Sequence, residues 1–123
     1  MKINYKKVNF TYQTEVADCG LSCVYMYLTG IGLNSSFSLF KKSHESSSKG
    51  MYLSELKSIL NIYNVRSELF NVSITKEDLI QNVKNDAILE WDKNHFVLML
   101  KKSNSGCYIL DPATGKKYMK WEE

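Results

Sequence analysis

The 123-residue chain carries a single proline, six glycines and three cysteines. So few breaking residues leave no linker visible in the composition, and one domain spanning residues 1–123 is expected. There is no internal repeat, which removes solenoids and propellers. No run approaches the ~18 apolar residues of a membrane span. The start, Met1-Lys2-Ile3-Asn4-Tyr5-Lys6-Lys7, has no apolar stretch behind its lysines, so no secretory signal is expected. An odd cysteine count without such a signal points to a reduced, cytosolic setting, where a special cysteine is chemical rather than structural. Charge of one sign is lacking too: 16 Lys and Arg against 13 Asp and Glu leave +3, scattered along the chain. That balance gives no reason to expect nucleic acid as a partner.

What is present is an ordinary globular composition, 44% hydrophobic and 24% charged. Gly20 to Leu28 is apolar on every side, the mark of a buried helix, with Asp18 placed to cap its start and Gly30 and Gly32 to end it. Ser35 to Lys42 reads as a short helix presenting Phe37, Leu39 and Phe40. Residues 41–50, polar and serine-rich, read as an exposed loop. Tyr52 to Tyr63 places Leu53, Leu56, Ile59, Leu60 and Tyr63 at three- and four-residue steps, one buried stripe. Val65 to Val72 reads as a strand. Thr75-Lys76-Glu77-Asp78 has the form of a capping box before another short helix. Then the pattern changes: Ala87–Trp91, His95–Lys101, Cys107–Leu110 and Lys116–Trp121 are short apolar runs between turn residues, an antiparallel meander. Helices first and sheet second predict an α+β fold.

Four residues stand out chemically. Cys19 lies at the first turn of the buried helix, where the helix dipole favours a thiolate and the adjacent Asp18 opposes it. Taken alone it also reads as a core thiol. A cysteine nucleophile needs a base. His44 sits in the serine-rich loop, whereas His95 opens an apolar strand that fixes its backbone. Asp111 ends the next strand, so a hairpin brings it beside His95, where it can hold the ring and stabilise the imidazolium. Gln13, six residues before Cys19, can aim its amide back at the site and join the Cys19 backbone N–H as an oxyanion donor.

Gln13-Thr14-Glu15-Val16-Ala17-Asp18-Cys19-Gly20, Asn94-His95-Phe96-Val97-Leu98 and Tyr108-Ile109-Leu110-Asp111-Pro112-Ala113-Thr114-Gly115 together resemble the motifs of a known family. This is the papain-like leader-processing peptidase domain of bacteriocin ABC transporters, numbered thirty-nine among the cysteine peptidases. The resemblance spans residues 8 to 121. It implies a papain-like fold and the roles of nucleophile for Cys19, general base and later acid for His95, orienting group for Asp111, and oxyanion donor for Gln13. It implies cleavage after a Gly-Gly or Gly-Ala pair of a leader peptide, coupled to export at the cytoplasmic face of the membrane. It also implies that the chain is a domain excised from a longer transporter. The expected partners are then a precursor peptide and the transporter's membrane and ATP-binding domains. No cofactor is expected in the domain itself; ATP and Mg would belong to the nucleotide-binding domain. Ala87-Ile88-Leu89-Glu90-Trp91 departs from the family pattern, in which a proline often starts that strand. Asn9-Phe10-Thr11-Tyr12-Gln13 and Gly20 resemble transporters of lanthionine-bridged peptides.

An amphipathic leader needs an apolar groove, for which Tyr25, Met26, Met51, Tyr52 and Leu53 are candidates, each also readable as core. Two rival classes follow from the same residues. One is a module that recruits the leader without cutting it, which has no need of a reactive Cys19. The other is a redox or metal protein built on Cys19, Cys23 and His95, although that spacing is not a usual zinc site and the helix disfavours a Cys19–Cys23 disulfide.

Overall fold

Helix α1, Cys19–Gly30, buries all of its residues except Tyr27, as its all-round apolar sequence requires. This computed structural model describes residues 3–44, 51–69, 86–91 and 95–121. The helix runs through Gly30 and closes by way of Gly32, whose φ of +117° needs a residue without Cβ, while Ile31 and Leu33 both donate to the Leu28 carbonyl. Gly30 serves a different purpose. The N-terminal segment crosses the helix there, with Asn4 N–H on the Gly30 carbonyl at 2.7 Å, and a Cβ would lie 2.4 Å from Ile3 Cγ1.

At the other end of α1 the expectation for Asp18 is corrected. Its carboxylate makes no capping bond to the helix. Residues Val16–Asp18 form a 3-10 turn, and the side chain folds back to accept from the Thr14 hydroxyl and the Glu15 N–H.

Helix α2, Phe37–Ser43, is capped by the Ser36 hydroxyl accepting from Leu39 N–H. It buries only Phe40, whose ring lies 5.4 Å from that of Tyr25, and leaves Leu39 exposed. Helix α3, Leu53–Ile62, begins with Glu55 accepting from the Tyr52 N–H and buries Leu56, Ile59 and Leu60. It ends on Asn64 at φ 64°, with Val65 N–H on the Leu60 carbonyl. That bond uses the donor a strand would have needed, and residues 65–69 are irregular; the strand expected at Val65–Val72 is absent from its described part. Residues 70–72, the Thr75 capping box, the helix after it and most of the serine-rich stretch lie outside the described residues.

Four strands follow as an antiparallel meander in sequence order: β1 Ala87–Trp91, β2 His95–Leu100, β3 Gly106–Asp111 and β4 Gly115–Lys120. The sheet has two apolar faces. Phe96, Leu98, Leu100 and Leu110 join the core built with α1, α2 and α3, and Leu89, Val97, Met99, Cys107 and Ile109 form a second buried cluster. β2 is therefore buried on both sides, which explains its unbroken apolar run Phe96–Leu100. β4, at the other extreme, exposes Lys116, Lys117 and Lys120, charges of the kind that discourage edge-to-edge pairing. The helices-first, sheet-second α+β architecture is as expected. The start of α1 is pressed onto β2: a Cβ on Gly20 would sit 3.1 Å from Phe96 Cδ2, a tight contact that Phe96 or Leu56 would have to yield to.

Candidate active site

Cys19 enters the site as the first residue of α1, its side chain 4% exposed. Burial, the largest influence, pushes its thiol pKa up. Backbone N–H groups of Phe96 and Gly20 work the other way, and the negative charge of Asp111 adds to the rise. The Phe96 amide follows His95 directly, so the thiol lies against the start of β2.

The β2–β3 hairpin does for His95 and Asp111 what its turn residues predict. Leu98 pairs with Leu110, and the same register carried one step further sets Asp111 opposite Val97, two residues from His95 on one face of β2. The carboxylate reaches across this diagonal: Asp111 Oδ2 and His95 Nε2 are 3.0 Å apart. The other oxygen, Oδ1, accepts from Ala113 N–H at 2.9 Å. Although burial pushes the Asp111 carboxyl up, the Ala113 N–H and the imidazole outweigh it and hold the group below the usual carboxylate range. Nε2 of His95 is thus committed to Asp111.

Gln13 is tied to the same turn, its backbone N–H donating to the Pro112 carbonyl at 3.0 Å. The amide Oε1 is buried without a hydrogen-bond partner. Cys19, His95, Asp111 and Gln13 thus converge from three segments that are far apart in the sequence, on one end of the sheet.

The groove candidates separate. Tyr25 and Met26 are 3% and 0% exposed, and the Tyr25 hydroxyl is occupied with the Ser35 carbonyl at 2.6 Å. Both belong to the core and cannot touch a peptide, and Met51 is buried as well. Tyr52, at 75% exposed, and the half-buried Leu53 are the two that reach the surface. Cys19, Cys23 and Cys107 are free thiols, and Cys23 is an inert core residue whose ionisation burial pushes well above its ordinary value. Among the described residues no group of three or more His, Cys, Asp or Glu could hold a metal ion. No helix among them is long and apolar enough to cross a membrane.

One neighbour of the candidate site was not legible in the sequence. Lys41 Nζ lies 3.0 Å from the carboxylate of Asp18, the residue before Cys19, and 3.1 Å from the Thr14 hydroxyl. It comes from the polar end of α2 and is 23 residues from its partner, with no motif to announce the contact.

The family model of the Peptidase C39 family matches residues 7–123. The colicin V secretion/processing ATP-binding protein CvaB of Escherichia coli is 27% identical over 118 residues, which is 96% of this chain and 16% of that protein. The same figures hold for a probable microcin-H47 secretion/processing ATP-binding protein, MchF, also of Escherichia coli. The chain therefore spans 16% of the length of these curated relatives. Among solved structures, a double glycine motif protease from an AMS/PCAT transporter, in complex with the leader peptide, superposes with a TM-score of 0.79. That match is 23% identical in sequence and covers 95% of this chain and 82% of the other, a likeness of fold. With its cysteine, histidine and aspartate motifs in order and nearly its whole length matched, the chain belongs to the Peptidase C39 family.

Proposed function

We propose that the chain is a cysteine endopeptidase that removes leader peptides after a Gly-Gly or Gly-Ala pair, as the processing domain of an exporter of bacteriocin, lantibiotic or signalling peptides. The observation that carries this reading is the His95–Asp111 contact at 3.0 Å, set beside a cysteine at a helix N-terminus. Family membership supplies the reaction class.

In this mechanism Asp111 keeps the proton of the neutral imidazole on Nε2, so Nδ1 accepts the Cys19 proton as sulfur attacks the scissile carbonyl carbon. The resting thiol is buried, and the imidazolium left by proton transfer is the cation that makes its thiolate affordable there. The Cys19 backbone N–H and the Gln13 amide nitrogen receive the oxyanion. His95 then returns the proton to the leaving amine, and a thioester joins the leader to Cys19. Water, deprotonated by His95, hydrolyses that thioester and regenerates the thiol. These steps use no cofactor. Nucleotide and Mg belong to the ATP-binding domain of a parent transporter, which would hold this domain at the cytoplasmic face of the membrane. Small residues before the bond are what the family resemblance implies for the substrate. Tyr52 and Leu53 offer apolar surface to the leader helix.

The test is cleavage of a synthetic peptide with an amphipathic leader ending in Gly-Gly, read by mass spectrometry for wild type and Cys19→Ala. A single cut after the pair, absent in the variant, is expected. Binding of the peptide by wild type without any cut would replace this reading with that of a recruitment module.

A further inference from the structure

The loop from Gln13 to Cys19 separates the proposed oxyanion donor from the proposed nucleophile, so its shape sets the distance between them. Both ends are anchored, Gln13 by its N–H on the Pro112 carbonyl and Cys19 by the start of α1. Between them the hydrogen bonds that loop residues make to one another run through Asp18. Its N–H donates to the Glu15 carbonyl at 3.0 Å, and its Oδ2 accepts from the Thr14 hydroxyl and, at 3.1 Å, from the Glu15 N–H. Its side chain is 1% exposed, and the second oxygen, Oδ1, is buried without a hydrogen-bond partner. A buried carboxylate held this way, one residue from a thiol that must ionise, is costly twice over: it needs a counter-charge, and it repels the thiolate.

Lys41 answers both needs. Its ammonium lies 3.0 Å from Asp18 Oδ2, donates to Thr14 Oγ1 at 3.1 Å and sits 3.6 Å from Glu15 Oε1, gripping three of the five loop residues at once. It is the only cation in ion-pair contact with Asp18 among the described residues. Its own place is set by the preceding residue, because Phe40 is 2% exposed and packs between the rings of Tyr25 and Tyr63. We infer that Lys41 is a positioning residue for the reaction, acting through Asp18 to hold Gln13 and Cys19 at working distance and to cancel the charge beside the thiol. This rests on the peptidase reading above.

Two measurements on the 123-residue chain test it. In the cleavage assay Lys41→Gln is expected to lower kcat by about 10- to 100-fold, with KM for the Gly-Gly leader peptide within about twofold. Lys41→Arg, which keeps the charge and the donors, should recover most of that loss. Labelling of Cys19 by iodoacetamide needs no leader, and should be several-fold slower in Lys41→Gln. If the single variant fails to fold with its unpaired carboxylate, Asp18→Asn combined with Lys41→Gln removes the buried charge. That double variant should fold and still cleave slowly, since the grip on Thr14 and Glu15 is gone. Wild-type kcat in either glutamine variant, or no recovery with arginine, would overturn the inference. A wild type that binds the leader peptide without cutting it would instead overturn the peptidase reading; wild-type cleavage with labelling unchanged in Lys41→Gln would sink the inference alone.

Discussion

Replacing Asp111 by asparagine changes one atom and should disable the site almost completely. The Asp111 carboxylate has two tasks with the same sign: Oδ1 accepts from Ala113 N–H at 2.9 Å, and Oδ2 accepts from His95 Nε2 at 3.0 Å. An amide has only one accepting end. Turning its NH2 toward Ala113 sets donor against donor in a pocket where the side chain is only 10% exposed, and leaves a backbone N–H without a partner at about 1–3 kcal/mol. The amide oxygen therefore stays with Ala113, and the NH2 faces the imidazole. Nε2 must then accept, which moves the ring proton to Nδ1, the nitrogen that takes the Cys19 proton in the proposed mechanism. By analogy with the serine-protease triad, where the corresponding change costs about 10⁴-fold, kcat should fall by roughly 10³- to 10⁴-fold. Leader-peptide cleavage followed by mass spectrometry reads this, with Asp111→Ala alongside. Asparagine should be no better than alanine, because it imposes the wrong tautomer. An asparagine variant within about tenfold of wild type, or well above alanine, would refute the reasoning. Acid unfolding gives an independent check. The Asp111 carboxyl is held below its ordinary range in the folded protein, so its stabilisation is present above the unfolded value of about 3.9 and is lost as pH falls through the folded one. The melting-temperature gap between wild type and Asp111→Asn should accordingly be largest near neutrality and shrink in strong acid.

Gln13→Ala should lower kcat by roughly 10²-fold with little change in KM, since it removes the proposed oxyanion donor; equal kcat in the variant would assign that role elsewhere. Tyr52→Ala should raise KM for a full leader peptide, while the melting curve moves by no more than about 0.5 kcal/mol for so exposed a side chain. An unchanged KM would remove Tyr52 from the groove.

The parts of the fold that could be read from sequence are those set by local chemistry. The meander follows from short apolar runs and the turns 103–106 and 111–115, and the hairpin then carries Asp111 to His95 without further information. The stretch from Val65 reads as a strand as well, yet its first N–H is spent closing α3 on Leu60, a competition that hydropathy does not record. Tyr25 and Met26 misled for a related reason. A helix apolar on every side has no polar face to set its orientation, so spacing alone cannot tell which residues would line a groove. Asp18 looked like a cap because its type and position fit one, but the buried pairing with Lys41 is a long-range contact and outweighs the local preference.

The double burial of β2 bears on how the site moves. Amide exchange in a strand sealed on both faces and flanked by paired neighbours proceeds only through the largest openings of the protein, so β2 belongs to its slowest-exchanging core. His95 is the first residue of that strand, and Cys19 starts a helix packed closely against it at Gly20. Fraying of a surface loop therefore leaves the placement of His95 relative to Cys19 unchanged, and that placement is as durable as the fold.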